Sequence, residues 1–506
     1  MTTTTPALPA VSPVAVPDTR RDARTAFAVF VVAFALFAAC IPRITTFLDP
    51  VTGDEPFYLM TACTILHEGT IDETKTFAAH DWLRFYPAFP LPKNFPGWPI
   101  SPDLKPHASH TYRTGLYSKH GLGIPLLILA PFAVGGRVGV VLLYNLMAAG
   151  VAANIYLLAR TVAARSRALV VTAILMGSVP LVTYAFLIFP EIPAALMLTY
   201  ALRRLLAPAN TRWQWLLTGA CIGYLPWLHA RFALVVIGLV GLFFWRHGRA
   251  TLSRALPGAL PGARSGVWWG IVPAALSGLV FEAYSLVFYH FPLPNTRDHA
   301  GFDNPLNGFV GSLLDAQWGL FVVSPVYVLA AAALVLFTIE HERRRDGLAL
   351  LLILALYGVT ICSYAVWWGE WGPAARYWTA ALPMLALPLA WWLERAMRHS
   401  PVGTIIMLGL VVAWGLVFTM GWLRQPQWLY NQPTGVNNLL VHGLGGFGQR
   451  LAAGLPAYQF YAPSPLITRV LWAVAVGLIS VAAGSEMTLL MLPNAGKEVR
   501  EAHGVD

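Results

Sequence analysis

Asp54 and Glu55 are adjacent carboxylates in the run Thr52-Gly53-Asp54-Glu55-Pro56-Phe57-Tyr58, a few residues after the first strongly apolar segment. Charge drawn out of water near a membrane costs several kcal/mol unless it is paired or used. The pair is therefore the first place to look for chemistry. A carboxylate at a membrane surface can take a proton from an attacking hydroxyl, which makes Asp54 a candidate general base. Glu55 points elsewhere and would orient a substrate or pair with a cation. The same residues also read as a helix start, with Asp54 capping and Pro56 in the first turn. The two readings are compatible.

A group transfer with a phosphate leaving group also needs cations. Lys119-His120 precedes the glycine-rich Gly121-Leu122-Gly123, where a lysine and exposed helix N–H groups would make a phosphate site. The alternative is a lysine snorkelling to headgroups. Arg231, in Trp227-Leu228-His229-Ala230-Arg231, and Arg376, in Trp367-Trp368-Gly369-Glu370-Trp371-Gly372-Pro373-Ala374-Ala375-Arg376-Tyr377, are candidates for phosphate or carboxylate recognition. His229 reads as a metal ligand or, more commonly at a helix end, as a backbone-bonded side chain. Glu191, between Pro190 and Pro193, would pair with Arg231 or Lys119, and Glu370 has the same structural reading. The Trp-rich stretch is an interface belt first and a sugar-stacking surface second.

These residues must be positioned by membrane helices. Of 506 residues, 57% are hydrophobic and only 11% charged, with mean hydropathy +0.59, against about 25% charged in soluble domains. The net charge of +10 reports topology rather than nucleic-acid binding. The four cysteines form no metal or disulfide pattern, and no phosphate-binding glycine loop argues for an ATP-driven pump. Hydropathy predicts about twelve spans, near 26–46, 138–160, 168–188, 192–207, 214–228, 232–246, 266–290, 319–339, 347–366, 376–394, 402–422 and 466–486. Segment 26–46 reads as a retained span rather than a cleaved signal. Segment 121–134 is too short and reads as an interfacial helix. Leaving it out places the basic clusters, from Arg160/Arg165/Arg167 to Lys497/Arg500, on the cytoplasmic side.

This topology gathers every unusual polar group named above on the external side, with no ionisable path across the midplane and no repeated halves. One-sidedness favours an enzyme at the outer interface over the alternative, a transporter or flippase of a lipid-linked sugar.

The first-loop motif Gly53-Asp54-Glu55-Pro56-x-Tyr58, the Lys119-His120-Gly121 before a short juxtamembrane helix, Phe189-Pro190-Glu191, Trp227-Leu228-His229-Ala230-Arg231, Gly319-Leu320-Phe321-Val322-Val323-Ser324-Pro325 and Arg376-Tyr377-Trp378 together resemble the GT-C superfamily of polyprenyl-phosphate-sugar glycosyltransferases. The likeness is to the branch of protein O-mannosyltransferases and the lipid A aminoarabinose transferase, and it covers roughly residues 26–422. It implies an all-α polytopic fold with a long first external loop, and inverting transfer of a sugar from a polyprenyl phosphate to a hydroxyl. It implies Asp54 as base, with Glu55 as its acidic companion. Lys119, His120, Arg231 and Arg376 would hold the donor phosphate, and Tyr58, Glu191, His229, Glu370 and Tyr377 the substrate. No metal ligand transfers, and a divalent metal stays open as a cofactor. The absence of a large soluble domain between spans leaves a glycan, lipid or protein as acceptor.

The expected organisation is a disordered cytoplasmic tail (1–25), a catalytic membrane module (26–422, its first external loop 47–137), an external segment (423–465), which would form a short lid or second-substrate surface, and a last span with a cytoplasmic tail (466–506). The expected location is the bacterial cytoplasmic membrane, multi-pass, with the site facing outward.

Overall fold

The computed structural model describes residues 19–47, 53–85, 103–109, 111, 113–255, 267–290, 304–369, 372–429, 435–458, 464–472, 474 and 476–477. Among these there is no strand, only an isolated antiparallel bridge between Ala108 and Ser118. The first half comprises α1 (Thr19–Phe47), α2 (Glu55–Glu68), α3 (Thr74–Ala78), α4 (Gly123–Ala159), α5 (Arg165–Met176), α6 (Leu181–Tyr184), α7 (Glu191–Leu206), α8 (Arg212–Leu228) and α9 (Ala233–Ala255). The second half comprises α10 (Trp268–Tyr289), α11 (Pro305–Leu314), α12 (Leu320–Val323), α13 (Val326–Ile339), α14 (Arg344–Cys362), α15 (Ala386–His399), α16 (Pro401–Arg424), α17 (Asn438–Gly443) and α18 (Gly445–Gly454).

Six of these are long and apolar enough to cross a membrane: Thr19–Ile44, Gly123–Ala159, Ala230–His247, Trp268–Tyr289, Arg344–Cys362 and Pro401–Arg424. The difference from the expected dozen has local causes. Stretches 168–188, 319–339 and 376–394 are interrupted at Pro180, Pro325 and Pro383, because proline lacks the helical N–H donor and pushes the preceding residue out of the α region. The third stretch opens in two 3₁₀ turns, Arg376–Trp378 and Leu382–Leu385, before α15 begins. Helices α7 and α8 have 16 and 17 residues, and 466–486 lies largely outside the described residues.

Two local features depend on glycine. The 37 residues of α4 would run about 55 Å if straight, well beyond a hydrocarbon core of about 30 Å. Gly136, at φ 55° and ψ −145°, breaks it between the two segments that the sequence distinguishes. On α8, Gly219 and Gly223 let α10 approach to backbone contact: a Cβ on Gly219 would lie 1.9 Å from the Gly270 carbonyl oxygen. Ser277 Oγ then donates to the Gly223 carbonyl at 2.7 Å. Such small-residue contacts, with an interhelical hydrogen bond, drive helix association where lipid supplies no hydrophobic force.

The tail is ordered earlier than expected. Helix α1 begins at Thr19, and its buried Asp22 accepts from Arg160 Nε at 2.9 Å and Tyr156 Oη at 3.0 Å, tying α1 to the end of α4. Residues 1–18 lie outside the described residues. At the other end of the molecule, buried Asp315 pins the late segment: its carboxylate accepts from Tyr458 N at 2.7 Å, Ala316 N donates to Pro456 O, and Asn437 donates to Ala316 O.

Gly219→Ala is expected to destabilise the protein by about 1–3 kcal/mol, since backbone faces backbone and nothing soft can give way. Gly278→Ala, inside α10 with open space around it, should hold or slightly raise the melting temperature in detergent, since alanine favours the helix. Equal melting of both variants would show that the α8–α10 contact does not carry stability.

Candidate active site

Glu191 is the first residue of α7 and has no exposed surface. Its Oε1 accepts from Arg231 Nη2 at 2.7 Å and from Arg376 Nε at 3.3 Å. A buried carboxylate keeps its charge only with such partners. Arg376 extends the network: Nη1 donates to the Gly369 carbonyl at 3.1 Å, and Nη2 is ion-paired and hydrogen-bonded to Asp54 Oδ2. Asp54, Arg376, Glu191 and Arg231 thus form one chain of alternating charge. The Arg376 guanidinium lies 4.2 Å from the Phe189 ring centroid, and the Tyr377 ring stands within 4.7 Å of Arg231 and 5.5 Å of Arg376.

Local backbone explains these positions. Gly53, at φ 58°, turns the chain just before α2. Asp54 then occupies the N-cap position, and its backbone carbonyl accepts from Phe57 N and Tyr58 N, but its side chain caps nothing. The expectation of a side-chain cap is therefore corrected: Arg376 takes the carboxylate instead. On the facing wall, Gly369 at φ 84° brings its carbonyl to Arg376, and a Cβ there would lie 3.0 Å from the arginine stem. His229 ends α8, and its Nδ1 accepts from Arg231 N at 3.1 Å, which fixes the 3₁₀ turn carrying Arg231. That is the backbone-bonded alternative for His229.

Glu55 points away from Asp54, and of the two parts expected of it the structure shows the pairing with a cation. It is fully buried and turned toward the core, where Oε1 accepts from Ile188 N at 3.0 Å and Oε2 lies 3.6 Å from Arg137 Nη2. It serves the irregular backbone that leads into α7. Tyr144 Oη donates to Phe189 O, Asn145 to Ala185 O and Tyr184 Oη to Pro373 O in the same stretch. Non-helical backbone is tolerated in a membrane protein only where protein satisfies it in this way.

On the loop side, His107 Nδ1 and His120 Nε2 are 3.3 Å apart, and both rings stack on Phe57, His107 at 3.7 Å. Lys119 N donates to His107 O at 2.8 Å, which holds the two strands of the loop together. Tyr58 is buried with its ring edge-on to His120. Burial pushes His107 down to about 4 and His120 down to about 3, against the opposing pull of Asp54, so both rings are neutral at pH 7. Burial alone would raise the Asp54 carboxyl. The Arg376 guanidinium outweighs it and holds Asp54 well below the usual carboxylate range.

Lys119 and His120 also line a cleft with Gly121, Trp227, His229, Phe281, Tyr284 and Tyr289. Gly121 and Gly123, at the glycine-rich start that follows Lys119 and His120, pack tightly on their other side. A Cβ on either would come within 2.7 Å of the Trp227 backbone, so their role is close packing against the end of α8. Glu370 lies outside the described residues. Among the described residues, no three His, Cys, Asp or Glu side chains come together as a metal-binding group.

The structure thus brings Asp54, Glu191, Arg231, Arg376 and Tyr377 into one cluster, joins His120 and Tyr58 to its loop side, and separates Glu55 from it. No family model matches the chain, and no curated protein matches it. Among solved structures it is similar to the crystal structure of ArnT from Cupriavidus metallidurans bound to undecaprenyl phosphate. The TM-score is 0.48 and the identity 15%, over 91% of this chain and 75% of that one. A likeness of this degree carries nothing about this chain's chemistry, which rests on its own residues.

Sequence reasoning missed His107, Arg137 and Glu73. His107 stands thirteen residues from its partner in a proline-rich loop, with no periodicity to mark it. Glu73 is buried, and its Oε1 lies 2.5 Å from Thr61 Oγ1 on α2, while Glu73 N donates to Leu116 O at 2.7 Å. It clasps α2 to the strand leading to Lys119 and His120. Burial pushes Glu73 up to about 7. An acid held above its ordinary value gives stability that is full below about 4.5 and is lost as pH rises through about 7. Glu73→Gln should therefore match the native protein at pH 4 and exceed it at pH 8, by on the order of 2–3 kcal/mol. Parallel melting curves for the two proteins across that range would refute the buried acid.

Proposed function

We propose that this protein is an inverting glycosyltransferase that moves a sugar from a polyprenyl-phosphate donor to a hydroxyl of a cell-envelope glycan, lipid or protein at the external membrane face. The observation that carries this reading is the meeting of Asp54 and Arg376 across 322 residues. It sets one partly exposed carboxylate, 26% accessible, against a guanidinium held rigidly from behind. A base for a hydroxyl and a cation for a phosphate are the two requirements of such a transfer.

In the proposed reaction Asp54 accepts the proton of the acceptor hydroxyl as its oxygen attacks the anomeric carbon. The new carbon–oxygen bond forms on the face opposite the phosphate. The bond from the anomeric carbon to the phosphate oxygen breaks, and its electron pair leaves with the lipid phosphate. A phosphodiester with one negative charge becomes a monoester with more, and that added charge is what the cations offset. Arg376 is the first of them, with Arg231 behind it and Lys119 along the neighbouring cleft. Phosphate is already a good leaving group, so no separate acid is required.

Glu191 has a supporting part. It touches no reacting atom in this scheme, but it orients both guanidinium groups and cancels part of their charge. Without it two cations would share a dry pocket, where like charges repel strongly. Tyr377 and Phe189 present ring faces to the same guanidinium groups and keep them flat. His229 acts through the turn that carries Arg231, and Glu55 through the backbone that leads into Glu191.

Asp54→Asn keeps the shape and removes the base. It is expected to lower transfer from a polyprenyl-phosphate sugar by about 10²–10⁴-fold while the protein stays folded. Mass spectrometry of a deletion strain should show the unused lipid-linked sugar accumulating, which would also name the donor. A folded Asp54→Asn protein with full transfer activity would remove the central claim.

A further inference from the structure

The same network suggests how the site is held when no donor is bound. Arg376 donates three hydrogen bonds, and they differ in what can reach them. Nε is held by Glu191 at 3.3 Å and Nη1 by the Gly369 carbonyl at 3.1 Å, and both partners are buried. Only the third contact, Nη2 to Asp54, involves a partner with appreciable exposure. An incoming anion therefore meets the Asp54 edge of the guanidinium, and the other two contacts tether the arginine while that edge changes partner.

We propose that the Asp54–Arg376 ion pair is a latch opened by the donor: the phosphate takes the Nη2 edge of Arg376 and releases Asp54 to act as base only in the donor-bound enzyme. This rests on the glycosyl-transfer reading above. While the latch is closed, Asp54 is a poor base, because the guanidinium stabilises its ionised form. Once Arg376 turns to the phosphate, the cation that most strongly holds down the proton affinity of Asp54 is engaged elsewhere, while the nearby His107 and His120 rings are neutral at pH 7.

Charge balance supports the exchange. Asp54 and Glu191 cancel Arg231 and Arg376, so the closed cluster is neutral and has little reason to admit an anion as it stands. Displacing Asp54 frees Nη2, a charged donor that can make one charge-assisted hydrogen bond to a phosphate oxygen. The base and the leaving-group cation thereby become available together, through one event. Glu191 is the positioning residue of the device, since it keeps Arg376 in place during the exchange.

The test is a double-mutant cycle on the full-length chain in nanodiscs, with polyprenyl phosphate as the probe and its dissociation constant as the readout. If the lipid phosphate must displace Asp54, Asp54→Asn should bind it about tenfold tighter, the effect of removing a competing ion pair. That gain should vanish in the Arg376→Gln background, where there is no latch to open. Tightening of equal size in both backgrounds would mean simple charge repulsion and would overturn the proposal, as would no tightening in either. Should Arg376→Gln fail to fold, Arg376→Met serves in its place, because it keeps the apolar stem and leaves no cation to pair with Asp54. An uncoupled cycle with an inactive Asp54→Asn protein rejects the latch alone. A fully active Asp54→Asn protein rejects the glycosyl-transfer reading beneath it.

Discussion

A carboxylate with no exposed surface must find cations or lose its charge, and Glu191 meets that constraint by drawing two arginines to one oxygen. Much of the site's geometry follows from it. Arg231 comes from the turn after α8 and Arg376 from the 3₁₀ turn ahead of α15, so the carboxylate ties three separate segments at one point. Removing one member of such a cluster leaves the others as uncompensated charge, which is why the arrangement is stiff. Within the cluster, one ion pair, that of Asp54 with Arg376, joins this stiff wall to the loop side.

The loop is built differently. Its order comes from aromatic stacking and main-chain pairing: Phe57 against His107 and His120, Ser109 with Tyr117, Lys119 with His107. Asp72 reinforces this by accepting from Leu116 N at 2.9 Å, and Gly115 is required there because a Cβ would lie 2.5 Å from that carboxylate. A ligand at the junction would therefore meet one rigid face and one face held by many weaker contacts, a common arrangement where binding must be followed by movement.

How much of this was legible depended on how unusual each residue was for its setting. Arginines at helix ends expected to lie outside stand out, because positive-inside bias does not account for them, and Arg231 and Arg376 do share the cluster. Asp54 stood out because charge drawn out of water beside an apolar segment is costly unless paired or used. Glu191 was expected to pair with Arg231, and its second arginine lies 185 residues away, beyond any local signal. Glu55 was expected to point away from Asp54, but its partners Ile188 and Arg137 lie far along the chain and gave no local signal. A helical step of about 100° between neighbours sends one outward and the other into the core, and only packing decides which. The close approach of Gly121 and Gly123 to the Trp227 backbone leaves no mark in sequence beyond the glycines themselves, because many kinds of close contact need the same residue. Hydropathy counted spans across Pro180, Pro325 and Pro383 because composition averages over a break that backbone geometry cannot ignore.

The separations within the site set an order of events for the newly made chain. Asp54 emerges 322 residues before the arginine that will hold it, an interval of roughly 15–65 seconds at ordinary rates of synthesis. Glu191 waits only 40 residues for Arg231, so the wall can neutralise its buried charge early and without the loop. The loop's own stacking and main-chain pairs close within the first 120 residues. Two locally finished halves thus stand ready, and Arg376 arrives late to join them. The ion pair between loop and wall is thus the last part of the cluster that synthesis can complete.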